Sequence, residues 1–160
     1  MGFFNNETSL GILNYEEGHY NNINVTGIAT VKDKVTAEKV NIIGLLHVEG
    51  CLSAKQIFIK GGVDCPQKII AENIKLDVSG NVRIEELEAK IITISRKEEN
   101  GILKINKIAC EQLLAEDLTC KEIITETAEL KKKCNIQKLY YKKLFTKSEE
   151  TIIEKAIKLT

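Results

Sequence analysis

The sequence predicts an all-β fold, a right-handed parallel β-helix (β-solenoid) with about 17 residues per coil and roughly three short strands per coil. Three observations carry this. Cut every seventeen residues from Ile23, the chain repeats its chemical character without insertions over four units: "INVTGIATVKDKVTAEK", "VNIIGLLHVEGCLSAKQ", "IFIKGGVDCPQKIIAEN" and "IKLDVSGNVRIEELEAK". Within each unit the apolar residues stand two apart, the period of a strand with one face buried, whereas an amphipathic helix spaces them three and four apart. The residue types agree, with β-branched Ile and Val at the recurring positions and Gly at the bends.

Residues 1–22 precede the repeat and read as an N-terminal tail or cap. Phe3 and Phe4 stand in this segment as a contact with a membrane or as part of a cover over the first coil. Residues 23–95 form a first block of coils. One unit of extended chain, at ~3.3 Å per residue, traces roughly 56 Å, enough for a closed coil with three sides. Stacking coils about 4.8 Å apart sets like residues over like. The predicted core ladders are Ile23, Val40, Ile57, Ile74 and Ile91, and beside them Val25, Ile42, Ile59 and Leu76. Gly27, Gly44 and Gly61 form a third column, at a corner. A sandwich or barrel explains the alternation but not the constant register, because hairpin loops vary in length. Right-handedness follows the general rule for parallel crossovers.

Residues 96–101, within "SRKEENG", read as a charged loop protruding from one coil. Residues 102–160 then form a second block of coils with a lysine-rich C-terminal part. There "LLAEDLTCKEI" echoes "IIAENIKL", aligning Ala115 with Ala71 and Leu118 with Ile74. Residues 108–133 also have the Leu, Glu, Lys and Ala content of a helix. The β-branched cluster Thr119, Ile123, Ile124, Thr125 and Thr127 favours coils. Residues 23–159 then make about eight coils, a rod of roughly 40 Å.

Composition narrows the function. Five cysteines without a C-x-x-C pair, and no signal peptide, favour a reducing cytoplasm with thiols as small core residues. Only His19 and His47 are available to complete a metal site and neither has a ligand-like spacing, so no metal is expected. No stretch approaches the ~20 apolar residues of a membrane helix. Phosphate-cradling glycine motifs are absent, and "KGGVD" at residues 60–64 reads as a coil corner. His47 should face solvent, since it alternates with the inward Val48. No cofactor, catalytic residue or nucleic-acid partner is expected. Net charge is zero, yet residues 1–31 hold three acids and no Lys or Arg, whereas residues 131–160 hold nine lysines and three glutamates.

The tandem "TAEKVNI", "SAKQIFI" and "IAENIKL" pattern, followed by the block "LAEDLTCKEIITETAELKKKCNIQKLYY", resembles the bactofilins, polymer-forming bacterial cytoskeletal proteins. It is most similar to the two-part variant of Firmicutes, in which a loop divides the repeats from a final block. The resemblance covers the chain from about residue 20 onward. It implies a cytoplasmic, self-assembling scaffold, partnered by itself or by a paralogous bactofilin, with peripheral membrane contact in some members. It also implies alternating, head-to-head contacts, while the opposite charge of the two ends favours a head-to-tail stack. The expected function is therefore a nucleotide-independent, non-enzymatic scaffold. The alternatives are a non-polymerising solenoid adaptor for a protein or membrane partner, and a divergent β-helix acyltransferase, whose hexad turns would give a coil of eighteen.

Overall fold

The computed structural model describes the backbone of residues 3–4, 7–96 and 101–160, and the side chains of residues 9–96 and 101–160. No helix occurs among them. The strands are β1 (Phe3–Phe4), β2 (Glu7–Tyr15), β3 (Gly18–Val31), β4 (Lys34–Val48), β5 (Cys51–Glu88), β6 (Ile91–Arg96), β7 (Leu103–Ala109), β8 (Gln112–Ala115), β9 (Thr119–Leu130), β10 (Asn135–Lys147) and β11 (Ile152–Lys158). Every ladder between them is parallel. The chain is a β-solenoid of about nine turns.

The middle coils show why these residues wind this way. In residues 57–73 the buried side chains come in three pairs, Ile57 with Ile59, Val63 with Cys65, and Ile69 with Ala71. Each pair is one side of the coil, two inward residues around one outward residue, and the intervening residues turn the corners. Ile23 pairs with Val40 and Val40 with Ile57, while Val25, Ile42 and Ile59 run alongside, so aliphatic side chains stack on their own kind down the axis. Residues 108–133, open to a helical reading, lie largely in β8 and β9 and are coils.

The coils are less uniform than the seventeen-residue cut implies. β2 pairs with β3 at sixteen residues, Gly11 on Gly27 and Tyr15 on Val31, so residues 7–22 form a coil where the sequence suggested a tail or cap. β1 adds the backbone of Phe3 and Phe4 above His19 and Tyr20. Their side chains lie outside the described residues.

Ile91 corrects the predicted ladder. Ile74 pairs with Ile92, eighteen residues on, and Ile92 is buried while Ile91 is 43% exposed. The cause is a redistribution of corner residues in the coil that starts at Ile74. Between Leu76 and Val82 the corner is longer than its counterpart between Ile59 and Val63, and between Ile84 and Leu87 it is shorter than that between Cys65 and Ile69. One residue is gained overall, which reverses the facing of everything after it. The long corner carries Gly80 at φ 102° and brings the Asn81 carbonyl against Gly62.

The next coil is longer again. Ile91 pairs with Gln112, twenty-one residues on, and the extra residues fall at the charged segment expected as a loop. Of that segment, residues 97–100 lie outside the described residues. The following coil drops to fifteen, with Gln112 on Thr127, and β10 and β11 return to seventeen, with Asn135 on Ile152. These steps change the alignment of the later block. Ala115 stacks beneath Ile94, which pairs with Leu76, so it does not occupy the ladder of Ala71. Leu118 opens the side that continues from Leu103, not the one begun by Ile74.

Candidate functional site

The outward surface follows from the same alternation. His47 is partly exposed, as its place beside Val48 requires, with Nδ1 3.5 Å from Asp64 Oδ2. His19 Nδ1 is 2.8 Å from Thr36 Oγ1 and its Nε2 is 3.9 Å from Glu38. Lys55 Nζ lies 3.0 Å from the same Glu38, whose carboxylate holds the ammonium pKa above its usual value. These polar groups sit one coil apart and link neighbouring coils at the surface. Among the described residues no three His, Cys, Asp or Glu side chains gather as a metal site, and no helix is long and apolar enough to cross a membrane.

The cysteines are unpaired and mostly internal. Cys65, Cys120 and Cys134 are buried, Cys110 is half-buried and Cys51 is exposed. Burial pushes the Cys120 thiol up to about 12 and those of Cys65 and Cys110 up to about 11, and it also raises Cys134. Such thiols stay protonated, so they pack as small apolar groups and are poor nucleophiles.

Of the predicted ladder residues, Ile23, Val25, Val40, Ile42, Ile57, Ile59, Ile74 and Leu76 are all buried, and Ile91 alone is not. They hold the rod together, and Val40, Ile57, Ile74 and Ile91 also lie along the floor or wall of a groove on one flank. The surfaces that remain are the flanks and the ends.

One flank carries a groove of about 570 Å³ along the axis. Its walls are two outward columns, Lys39, Gln56, Asn73 and Ile91 on one side, and Asn41, Phe58, Lys75 and Thr93 on the other. Lys75 Nζ stands 5.5 Å from the centre of the Phe58 ring, a cation–π contact that spans adjacent coils. A second surface lies beside the glycine corner, where Leu10 and Ile12 are 83% and 75% exposed and Ile43 is 47% exposed. The displaced Ile91 and the first-coil residues Leu10 and Ile12 were hidden in the sequence, because their ladder neighbours Asn73, Thr26 and Ile28 are eighteen or sixteen residues away.

The two ends differ. At the N-terminal end Tyr15 and Tyr20 are buried, with their rings edge to face at 5.3 Å, and the Tyr20 hydroxyl donates to the Glu16 carbonyl. Two aromatic rings fill a cross-section that aliphatic pairs fill elsewhere. At the C-terminal end the inward positions are Phe145, Ile153 and Ala156, which stack on Ala128, Ile136 and Leu139. Those three partners are buried, yet Phe145 and Ile153 are only half-buried and Ala156 is exposed. One corner of this end is tied by Thr151, whose hydroxyl donates to the Lys131 carbonyl at 2.6 Å and accepts from the Cys134 amide at 3.2 Å. β11 pairs with β10 along one edge, and no described strand pairs with its other edge.

No protein-family model, curated protein or solved structure matches this chain.

Proposed function

We propose that this chain is a bactofilin-like, nucleotide-independent scaffold of a bacterial cytoskeleton, and that it assembles by stacking solenoid rods end to end. The observation that carries the reading is the last described coil, whose inward side chains and outer strand edge have no cover among the described residues. Phe145, Ile153 and Ala156 point along the core yet meet solvent, and β11 offers unpaired N–H and C=O groups beside them. An open strand edge over an apolar cross-section is a template for another strand. Adding a coil from a second copy would bury those side chains and extend the ladders, with no bound nucleotide and no chemical step. The raised thiol pKa values and the scattered, cross-coil ion pairs fit a framework role better than a catalytic one.

Sedimentation velocity on the purified chain over a range of concentrations, with and without added nucleotide, tests this. The proposal expects species that grow with concentration and are indifferent to nucleotide. A single monomeric boundary at every concentration contradicts it.

A further inference from the structure

The flank that bears Lys39, Phe58 and Lys75 continues past its groove of about 570 Å³. Its corner column runs on from Ile91 to Leu144 and its side column from Thr93 to Thr146, and together they line a second groove of about 420 Å³. The two grooves share Ile91 and Thr93, so the eighteen-residue step that turns Ile91 outward also joins them. From Lys39 to Leu144 the strip crosses seven coils, about 29 Å. Among its outward residues the only charges are Lys39 and Lys75 toward one end and Glu129 toward the other. All three are exposed, and among the described residues none has an opposite charge within ion-pair distance. Beside the corner column stand Lys55, Glu72, Lys90 and Glu111, so a strip poor in charge is rimmed by charge. That is the composition of a binding surface.

The geometry narrows what can lie there. Backbone groups in these strands pair with the coils on either side, so an extended peptide finds no free edge to join. A second copy laid face to face would cover a strip about 10 Å wide, about 300 Å², well below the roughly 800 Å² per partner of a stable pair. An α-helix satisfies its own backbone, is about 10 Å across, and repeats every turn of about 5.4 Å, close to the spacing of about 4.8 Å between coils. Lys39 and Glu129 stand five coils apart, about 24 Å, which about sixteen helical residues span. Unlike charges at the two ends set the direction, because a helix is partly negative at its C-terminus and partly positive at its N-terminus. We infer that this flank docks an amphipathic α-helix of about sixteen to twenty residues from a partner protein. Its apolar face lies on Phe58, Ile91 and Leu114, its C-terminal end toward Lys39 and Lys75, and its N-terminal end toward Glu129. The site is on the side of the rod, so it adds a partner to the proposed scaffold without depending on assembly.

Selection from a displayed library of random peptides, each about twenty residues long, tests it, with the purified chain as bait and its Ile91→Glu variant as counter-bait. The inference expects enriched sequences with apolar residues three and four apart and with Asp or Glu gathered in the last turn. A synthetic peptide of the enriched sequence should gain helical circular dichroism on binding, a signal to which no described residue of the chain contributes. It should bind about tenfold more weakly to Ile91→Glu, the loss of one central apolar contact, and roughly threefold more weakly to Lys75→Glu. Thermal melts check that each variant is folded, and Thr93→Glu takes the place of any Ile91→Glu chain that is not. Failure to enrich any peptide that tells the chain from these variants overturns the site. Sequences of period two, or binding without a gain of helix, overturn the helical partner. Acids gathered in the first turn, or affinity unchanged by Lys75→Glu, overturn the stated direction. None of these outcomes depends on sedimentation of the chain alone, which tests the scaffold reading separately.

Discussion

Gly61 stacks on Gly44 so closely that a Cβ on Gly61 would overlap the Gly44 carbonyl oxygen. Gly44 lies on Gly27 in the same way, and Gly27 on Gly11, with φ between 108° and 139° down the column. Only a residue without a side chain allows both the backbone angle and the approach. Gly44→Ala is expected to cost about 1–3 kcal/mol for the backbone angle, with the overlap added. Gly80→Ala meets nothing within 4 Å and should bear the backbone term alone. Urea unfolding of both variants measures the difference, and equal losses would show that the stacked carbonyls give way freely.

The ladder at Ile92 predicts a contrast between neighbours. Ile92→Asp places a carboxylate in the core beneath Ile74 and should unfold the rod, whereas Ile91→Asp sits on the surface and should change stability little. Ile42→Asp and Ile59→Asp should likewise unfold it, and a charge in place of the partly exposed His47 should be tolerated. Ile92→Ala is expected to cost about 2–5 kcal/mol. Thermal melts by circular dichroism read all six, and an intact Ile92→Asp rod would refute the eighteen-residue step.

The buried thiols predict a loss of stability in alkali. In the unfolded chain a thiol ionises near its ordinary value of 9.0, while in the rod burial holds Cys120 protonated up to about 12 and Cys65 and Cys110 up to about 11. The folded state then binds more protons than the unfolded state, so stability is whole below pH 9 and falls as pH rises from 9 toward 12. Replacing Cys120 by Ala should flatten that fall while adding its own packing cost. At neutral pH a thiol reagent should modify exposed Cys51 quickly, half-buried Cys110 more slowly, and the buried Cys65, Cys120 and Cys134 only on unfolding. Rapid labelling of Cys120 would contradict its burial.

Ile153 separates the end of the rod from its body. It stacks on the buried Ile136 but is itself half-buried, so Ile153→Lys removes little core and places a charge on the proposed junction. The expected result is a melt close to that of the unsubstituted chain together with loss of assembly in sedimentation. Assembly that survives the substitution would move the junction away from this surface.

The first ladders were legible because residues 23–73 keep a strict step and repeat aliphatic character in the inward columns and glycine at one corner. Legibility failed where corners changed length. The "DVSGN" corner gains residues that the shorter turn at Glu85–Glu86 does not fully cancel, and nothing in the alternation of residues 74–90 marks where the surplus falls. Hence Ile91, equivalent by count to Ile74, faces outward. "LLAEDL" resembles "IIAENI" because both are an inward pair around one outward residue, then a corner and another inward residue, a motif that any side of the coil can use. The first coil escaped notice for a related reason, since Gly11 precedes Gly27 by sixteen residues. The partial exposure of Ile153 was invisible in principle, because it depends on what stacks below it and not on its own neighbours.

The most direct test of the account is electron microscopy of the purified chain at neutral pH without nucleotide, with diffraction from the filaments. The account predicts unbranched filaments whose strands cross the axis, giving an axial repeat near 4.8 Å as coils continue from one copy into the next. Isolated rods of roughly 40 Å that never lengthen at any concentration or salt would contradict it.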